Sequence, residues 1–270
     1  MNLLRTFVQK SYSAKRLVRR LWRTRQTAGA AAAVAETRRV LRELLAPAKA
    51  GPEPTSDFDV ANGVDTAGIV RIADMEIAGP NYRFGVFYKA SSPEPFRAVL
   101  DRLNLDWRRF QFVDMGSGKG LVLLLASHYA FKRITGVEFG ANLHRIAEAN
   151  VVRYRPKERL CQDVVCVCQD AGQYRFAAEP LVVYFYEPFE APVLQAVLRN
   201  LEDSYQSHPR PIILIYHNAP STSTLAEEAK RRVSLFTGSS FPADAGFGDP
   251  LHTLYVSAEA GKLLRQKQFQ

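Results

Sequence analysis

Apolar and polar positions alternate along most of the chain with two different periods, and the periods separate strands from helices. Short, largely apolar runs at Phe112 to Val113, Arg133 to Phe139, Val164 to Cys168, Leu181 to Tyr186 and Pro211 to Tyr216 predict strands covered on both faces. Between them the apolar residues recur at helical spacing. Leu143, Ile146, Ala147, Asn150, Val151 and Tyr154 form one such stripe, and Val193, Leu194, Val197, Leu198 and Leu201 form another. A further helix starts at Leu121. Ser91-Ser92-Pro93-Glu94 predicts the start of a leading helix ending near Leu103, with a hydroxyl cap, proline in the first turn and an acid at the positive end of the dipole. Val233 to Phe236 and His252 to Ser257 predict two final strands at the sheet edge. Repeated βα units imply an α/β fold, a doubly wound, mostly parallel seven-stranded sheet with helices on both faces and an N-terminal helical extension.

The first half of the chain is less regular. Residues 57–90 mix short apolar runs with Gly63, Gly68, Gly79, Pro80 and Gly85, which suggests an arm over a cleft, with Asn81, Tyr82, Tyr88 and Lys89 as lid residues. Before it, Pro47, Gly51, Pro52 and Pro54 break a helix-prone, alanine-rich segment. The expected organisation is a basic helical tail over 1–50, a linker, lid arm and leading helix over 51–110, and a ligand-binding core over 111–260.

Charge sharpens that division. Residues 1–50 hold 12 Lys or Arg against 2 acids, whereas the remaining 220 hold 24 against 25. Residues 1–26 contain eight basic residues and no acid, with Leu3, Leu4, Phe7, Val8, Leu17, Val18, Leu21 and Trp22 at roughly helical spacing. Three readings stay open: a basic amphipathic helix on an anionic membrane or nucleic acid, an organelle transit peptide, or a solvated tail. Charges interrupt every apolar stretch, so a secretory signal is excluded, and no uncharged apolar run approaches the ~18 residues of a membrane span. The expected location is cytoplasmic, either free or peripheral to a membrane. Cys161, Cys166 and Cys168 match no usual zinc spacing and are expected as buried small hydrophobes in a reducing compartment, with no structural metal.

The chemistry is concentrated in residues 111–120, Gln-Phe-Val-Asp-Met-Gly-Ser-Gly-Lys-Gly. A strand ending in an acid and followed by three alternate glycines predicts a sharp turn into a helix. There a ligand can lie on bare backbone and face free N–H groups. A phosphate loop is excluded, because Val113 stands where its first glycine belongs and Gly120 where its hydroxyl belongs. A dinucleotide loop is disfavoured, because its third glycine would fall on Leu121. An acid 24 residues after Asp114, Glu138, stands where these folds grip ribose hydroxyls, and the third strand runs on into Asp170 and Ala171.

The remaining pattern, Asp-x-Gly-x-Gly-x-Gly at Asp114, Gly116, Gly118 and Gly120 with Ser117 inside it, resembles motif I of the class I S-adenosylmethionine-dependent methyltransferases. With Gly136-Val137-Glu138-Phe139 it is most similar to the Gly-Ser-Gly branch that contains seven-strand protein-lysine methyltransferases and uncharacterised bacterial proteins. The resemblance covers roughly residues 60–257. It implies S-adenosylmethionine as cofactor, with Asp114 and the glycine loop at its methionine end, Glu138 and Phe139 at the ribose, and Asp170 and Ala171 at the adenine. Tyr186-Glu187-Pro188-Phe189 looks like a variant of the Asn/Asp-Pro-Pro-Phe/Tyr loop of amine methylators, with Glu for Asn/Asp and one proline. Those departures count against a nucleic-acid adenine acceptor and leave a protein lysine or a small amine. Glu187 and, at His217-Asn218, His217 are the candidate catalytic residues. Two rivals remain: a non-catalytic module carried to membrane or nucleic acid by its tail, and an NAD-dependent oxidoreductase that uses Glu138 for the ribose.

Overall fold

In a computed structural model the chain divides into two compact units, Met1–Glu53 and Pro54–Gln270. The structure describes residues 56–77, 80–217, 240–241 and 252–267, with the single positions 225, 228, 231 and 232, all within the second unit. The expected tail, its linker, Asn218 and the strand expected at 233–236 lie outside the described residues.

Two short elements open the described chain. Helix α1 (Asp57–Asn62) is capped by the Ser56 hydroxyl, which accepts from the Asp59 N–H, and it ends at Gly63 with φ 65°. Strand β1 (Ile69–Val70) pairs antiparallel with β2 (Tyr88–Lys89). Helix α2 (Pro93–Leu103) starts as expected with proline in the first turn and stops at Asn104, which takes the left-handed conformation. Its expected cap is only partly realised, because the Ser92 side chain makes no capping hydrogen bond.

From β3 (Gln111–Met115) the βα alternation follows: α3 (Leu121–Ala126), β4 (Arg133–Glu138), α4 (Ala141–Arg153), β5 (Val164–Cys168), β6 (Leu181–Tyr186), α5 (Ala191–Ser207) and β7 (Ile212–His217). The strands β8 (Ser240–Phe241) and β9 (His252–Val256) and the helix α6 (Ala258–Lys267) complete the described elements. The seven-stranded sheet has the order β5-β4-β3-β6-β7-β9-β8, parallel from β5 to β7 and antiparallel at β9 and β8.

The middle strand β6 explains why the sheet needs helices on both faces. Val182 and Tyr184 pack with Phe96, Leu100, Leu123 and Leu264 of α2, α3 and α6 on one side. Val183 and Phe185 pack with Val193, Leu194, Val197 and Leu201 of α5 on the other. Helix α3 is apolar all round and buried throughout, as a helix wedged between layers must be. At the outer strand β5 the cover thins. Of the three cysteines expected in the core, only Cys161 is buried, whereas Cys166 is half-buried and Cys168 exposed. An end strand has a neighbour on one side only, so its side chains keep part of their exposure.

Candidate functional site

All the predicted site residues belong to the rim formed by the carboxyl ends of β3 to β7. The glycine loop turns there because its backbone takes three left-handed conformations, φ 83° at Gly116, 54° at Gly118 and 87° at Gly120. The N–H groups of Gly116 and Ser117 both donate to the Val137 carbonyl, at 2.9 and 3.1 Å, which pins the turn to β4. Small size matters as much as conformation. A Cβ on Gly116 would come 2.4 Å from Cβ of Pro188, and one on Gly118 would come 2.2 Å from the Tyr88 ring. A Cβ on Gly120 would meet Ala147 at 3.2 Å, so this glycine lets α3 and α4 approach.

The three acids have different environments. Glu138 is 5 % exposed and accepts from the Gly118 N–H through Oε2 at 2.9 Å and from the Gly140 N–H through Oε1 at 2.7 Å. It clips the glycine loop to the β4–α4 turn. Burial still pushes its carboxyl upward, against the hydrogen bonds from Gly140, Gly118 and Phe139. Asp170 caps a single 3₁₀ turn, Ala171–Gln173, with Oδ1 accepting from the Gly172 N–H at 2.8 Å and Oδ2 from Nδ2 of Asn81 at 2.6 Å. Ala171 beneath it is buried.

Asp114 differs from both. It is 3 % exposed, and no donor or cation among the described residues meets its carboxyl. Burial first, and the Glu138 charge second, push it up to about 8. Three residues on, the buried Ser117 hydroxyl has no hydrogen-bond partner among the described residues. A buried acid left without a protein partner two residues before exposed Gly116 suits a small cationic ligand, while the Ser117 hydroxyl packs against Gly136 of β4.

The arm lies over this rim. Asp59 accepts from the Thr66 N–H and hydroxyl and from the Ala67 N–H, which shapes residues 59–67 into a closed turn. From that turn Asp65 reaches the buried Lys119 ammonium at 2.8 Å, and the Ala67 carbonyl accepts from the same ammonium at 2.9 Å. Asn150 of α4 ties turn and loop together, accepting from the Asp65 N–H and donating to the Asp65 and Lys119 carbonyls. Tyr88 donates its hydroxyl to the Thr66 carbonyl. Its burial, and next the charge of Asp59, hold that hydroxyl far above the usual phenol range, so it stays a donor. Farther along, Ile77 bridges to Gly140 and Gly85 bridges to Phe189. Gly85 sits so close to Phe139 that a Cβ there would lie 2.5 Å from the ring. Of the four expected lid residues, Asn81 and Tyr88 meet the site, Tyr82 packs in the apolar cluster of Met75, Ile77 and Leu143, and Lys89 is exposed.

Past β6 the rim changes character. Glu187 is exposed and holds a left-handed φ of 42°, one of two described non-glycine residues that do so. Its charge adds to burial in raising the Tyr186 hydroxyl. His217 is not a solitary surface residue. It is 7 % exposed, with Tyr186 edge-on at a ring-centroid distance of 4.6 Å and His252 in hydrogen-bond contact at 2.8 Å.

No family model matches the chain, and no curated protein matches it. Among solved structures it is similar to several methyltransferases. The methyltransferase domain of bacterial CtHen1 is 18 % identical, with a TM-score of 0.42 over 62 % of this chain and 100 % of that one. Magnesium protoporphyrin IX methyltransferase from Synechocystis PCC 6803, solved with bound S-adenosylmethionine, is 14 % identical, with a TM-score of 0.42 over 61 % of this chain and 78 % of that one. An RNA methyltransferase from Salinibacter ruber, solved with S-adenosyl-L-homocysteine, is 16 % identical, with a TM-score of 0.40 over 63 % and 92 %.

The structure brings Asp114, the glycine loop, Glu138, Phe139, Asp170 and Ala171 to neighbouring strand ends, with Glu187 and His217 next along the same rim. Sequence inspection missed Asp65, Lys119, Asn150 and His252. One signal was available: a lysine between glycines at the mouth of a buried helix needs a counter-charge. Among the described residues no group of three or more His, Cys, Asp or Glu side chains is placed to hold a metal, and no helix is long and apolar enough to cross a membrane.

Proposed function

We propose that this chain is an S-adenosylmethionine-dependent methyltransferase whose acceptor is an amine, either a protein lysine or a small amine. The observation that carries the reading is Asp114, a buried carboxyl without a partner among the described residues, set two residues before an exposed glycine. A ligand ammonium would restore the charge that burial removes from Asp114. A pyrophosphate carries no positive charge to stabilise an ionised Asp114, which disfavours the nicotinamide alternative.

Asp114, Ser117 and the loop amides would hold the amino-acid end of the cofactor, and Glu138 with Asp170 the nucleoside end. The carboxylate oxygens of the latter two already accept backbone or amide bonds, from Gly118, Gly140 and Phe139 at Glu138 and from Gly172 and Asn81 at Asp170, and keep capacity for more. When bound, the cofactor supplies an activated methyl on sulfur. The chain's own task is alignment: Pro188 and Tyr88 wall the loop, and the Glu187 turn presents a carboxylate where a cationic amine would enter.

Calorimetry with S-adenosylmethionine and NAD side by side tests the cofactor, and transfer of labelled methyl to fractionated lysate tests the acceptor. The expected outcome is micromolar binding of the first, none of the second, and label in the protein or small-amine pool. NAD binding without S-adenosylmethionine binding would sink the reading, and label confined to RNA would reassign the acceptor.

A further inference from the structure

The two buried histidines at the far end of the rim form one unit. His217 and His252 stand opposite each other on antiparallel β7 and β9. Nδ1 of His217 lies 2.8 Å from Nε2 of His252, with ring centroids 4.6 Å apart. Tyr186 is the registered neighbour of His217 across β6, and Tyr184 packs its ring on His252. Tyr186, His217 and His252 therefore form a row across three adjacent strands, one residue before the Glu187 turn.

A nitrogen-to-nitrogen hydrogen bond needs one protonated and one bare nitrogen. The bridge therefore holds a single proton; the pair can take one more on an outer nitrogen, but protonating both rings fully puts a proton on each bridging nitrogen, breaks the bridge and leaves two cations in contact inside the protein. A histidine that needs only satisfaction can be served by a backbone carbonyl. Among the described residues each imidazole is held by the other, a group that exchanges protons near neutrality. Among the described residues, the titratable side chains around the pair are Tyr184 and Tyr186 on β6 and Glu187 just beyond it, with Tyr216 and Tyr255 on the opposite sheet face.

We propose that His252 is a positioning residue that fixes the tautomer of His217, and that the pair serves as a one-proton base for the acceptor amine. The proposal rests on the methyltransferase reading above. In the step assigned to it, an N–H bond of the acceptor ammonium breaks and its electron pair stays on nitrogen as the attacking lone pair. The proton passes to the pair and later to water.

The test combines a spectroscopic and a kinetic readout on the full chain. In ¹⁵N-imidazole NMR the native pair should keep the bridged tautomers and take up one proton, not two, between about pH 5 and 8. His252→Leu should change the tautomer of His217, lower methyl transfer to the labelled lysate pool by ~10-fold or more and reshape its pH profile. Calorimetric affinity for S-adenosylmethionine should not move. His252→Gln, whose amide can replace the Nε2 contact, should recover most of the rate, which separates positioning from loss of fold. Two independent protonations in the native protein, or a His252→Leu enzyme with the native rate and pH profile, overturn the proposal. A native protein that binds no S-adenosylmethionine overturns the reading beneath it, while the NMR result on the pair still stands.

Discussion

At β4 and β5 the rim of the sheet is made of acids held by backbone and amide N–H groups, whereas at β6, β7 and β9 it is made of aromatic and imidazole rings held by one another. Glu138 is fixed by amides of two loops, those of Gly118 and Gly140, and Asp170 by one amide and Asn81. Backbone amides cannot be exchanged by mutation, so that half presents a fixed receptor. The ring-lined half depends on side-chain partners throughout, such as Tyr186 on His217 and His217 on His252. Single substitutions retune it. The difference suits a constant cofactor on one side and a variable acceptor on the other.

The strongest way to break this contrast is at Asp114, where the fixed half carries an unpartnered acid. Its folded carboxyl stands at about 8 against an ordinary 3.8, so between those values the folded state keeps a proton that the unfolded state has lost. This group's contribution is therefore fully present below pH 4 and falls away as pH rises toward 8. Asp114→Asn should flatten that decline in thermal melts and weaken S-adenosylmethionine binding by ~100-fold or more. Native binding near pH 7 should release protons, which calorimetry in buffers of different ionisation heat will read.

Next in size is the arm. Asp65→Ala removes the carboxylate from a lysine side chain that is 4 % exposed, whereas Lys119→Met leaves behind an acid that is 53 % exposed and solvated. The first should cost roughly 2 kcal/mol and the second about 1, measured by urea unfolding. Equal costs would mean that the pair is no latch. The smallest effect on binding belongs to the ring-lined half. Glu187→Gln should leave cofactor affinity within about twofold while lowering methyl transfer ~10-fold, so a matching loss of affinity would dissolve the distinction between the two halves.

The same contrast explains what could be read before the structure. Strands β4 to β7 and the turn at Gly116 to Gly120 are local, written in apolar runs and in glycines whose φ no other residue adopts cheaply. Glu138 was reachable because strand, helix and strand set its distance from Asp114. The partners of Lys119 and Asn150 lie 54 and 85 residues away, and His252 lies 35 residues from His217. No period or motif links such pairs; only the closed sheet and the folded arm bring them together. Cys166 and Cys168 were misjudged for a related reason, since strand order decides which apolar run becomes an outer strand.

The backbone at Glu187 has one more implication. A left-handed φ of 42° costs a residue with a side chain ~1–2 kcal/mol that glycine would escape. Glycine would relieve that cost, so Glu187→Gly should raise thermal stability slightly while removing the carboxylate, and the two effects can be read separately at this one position.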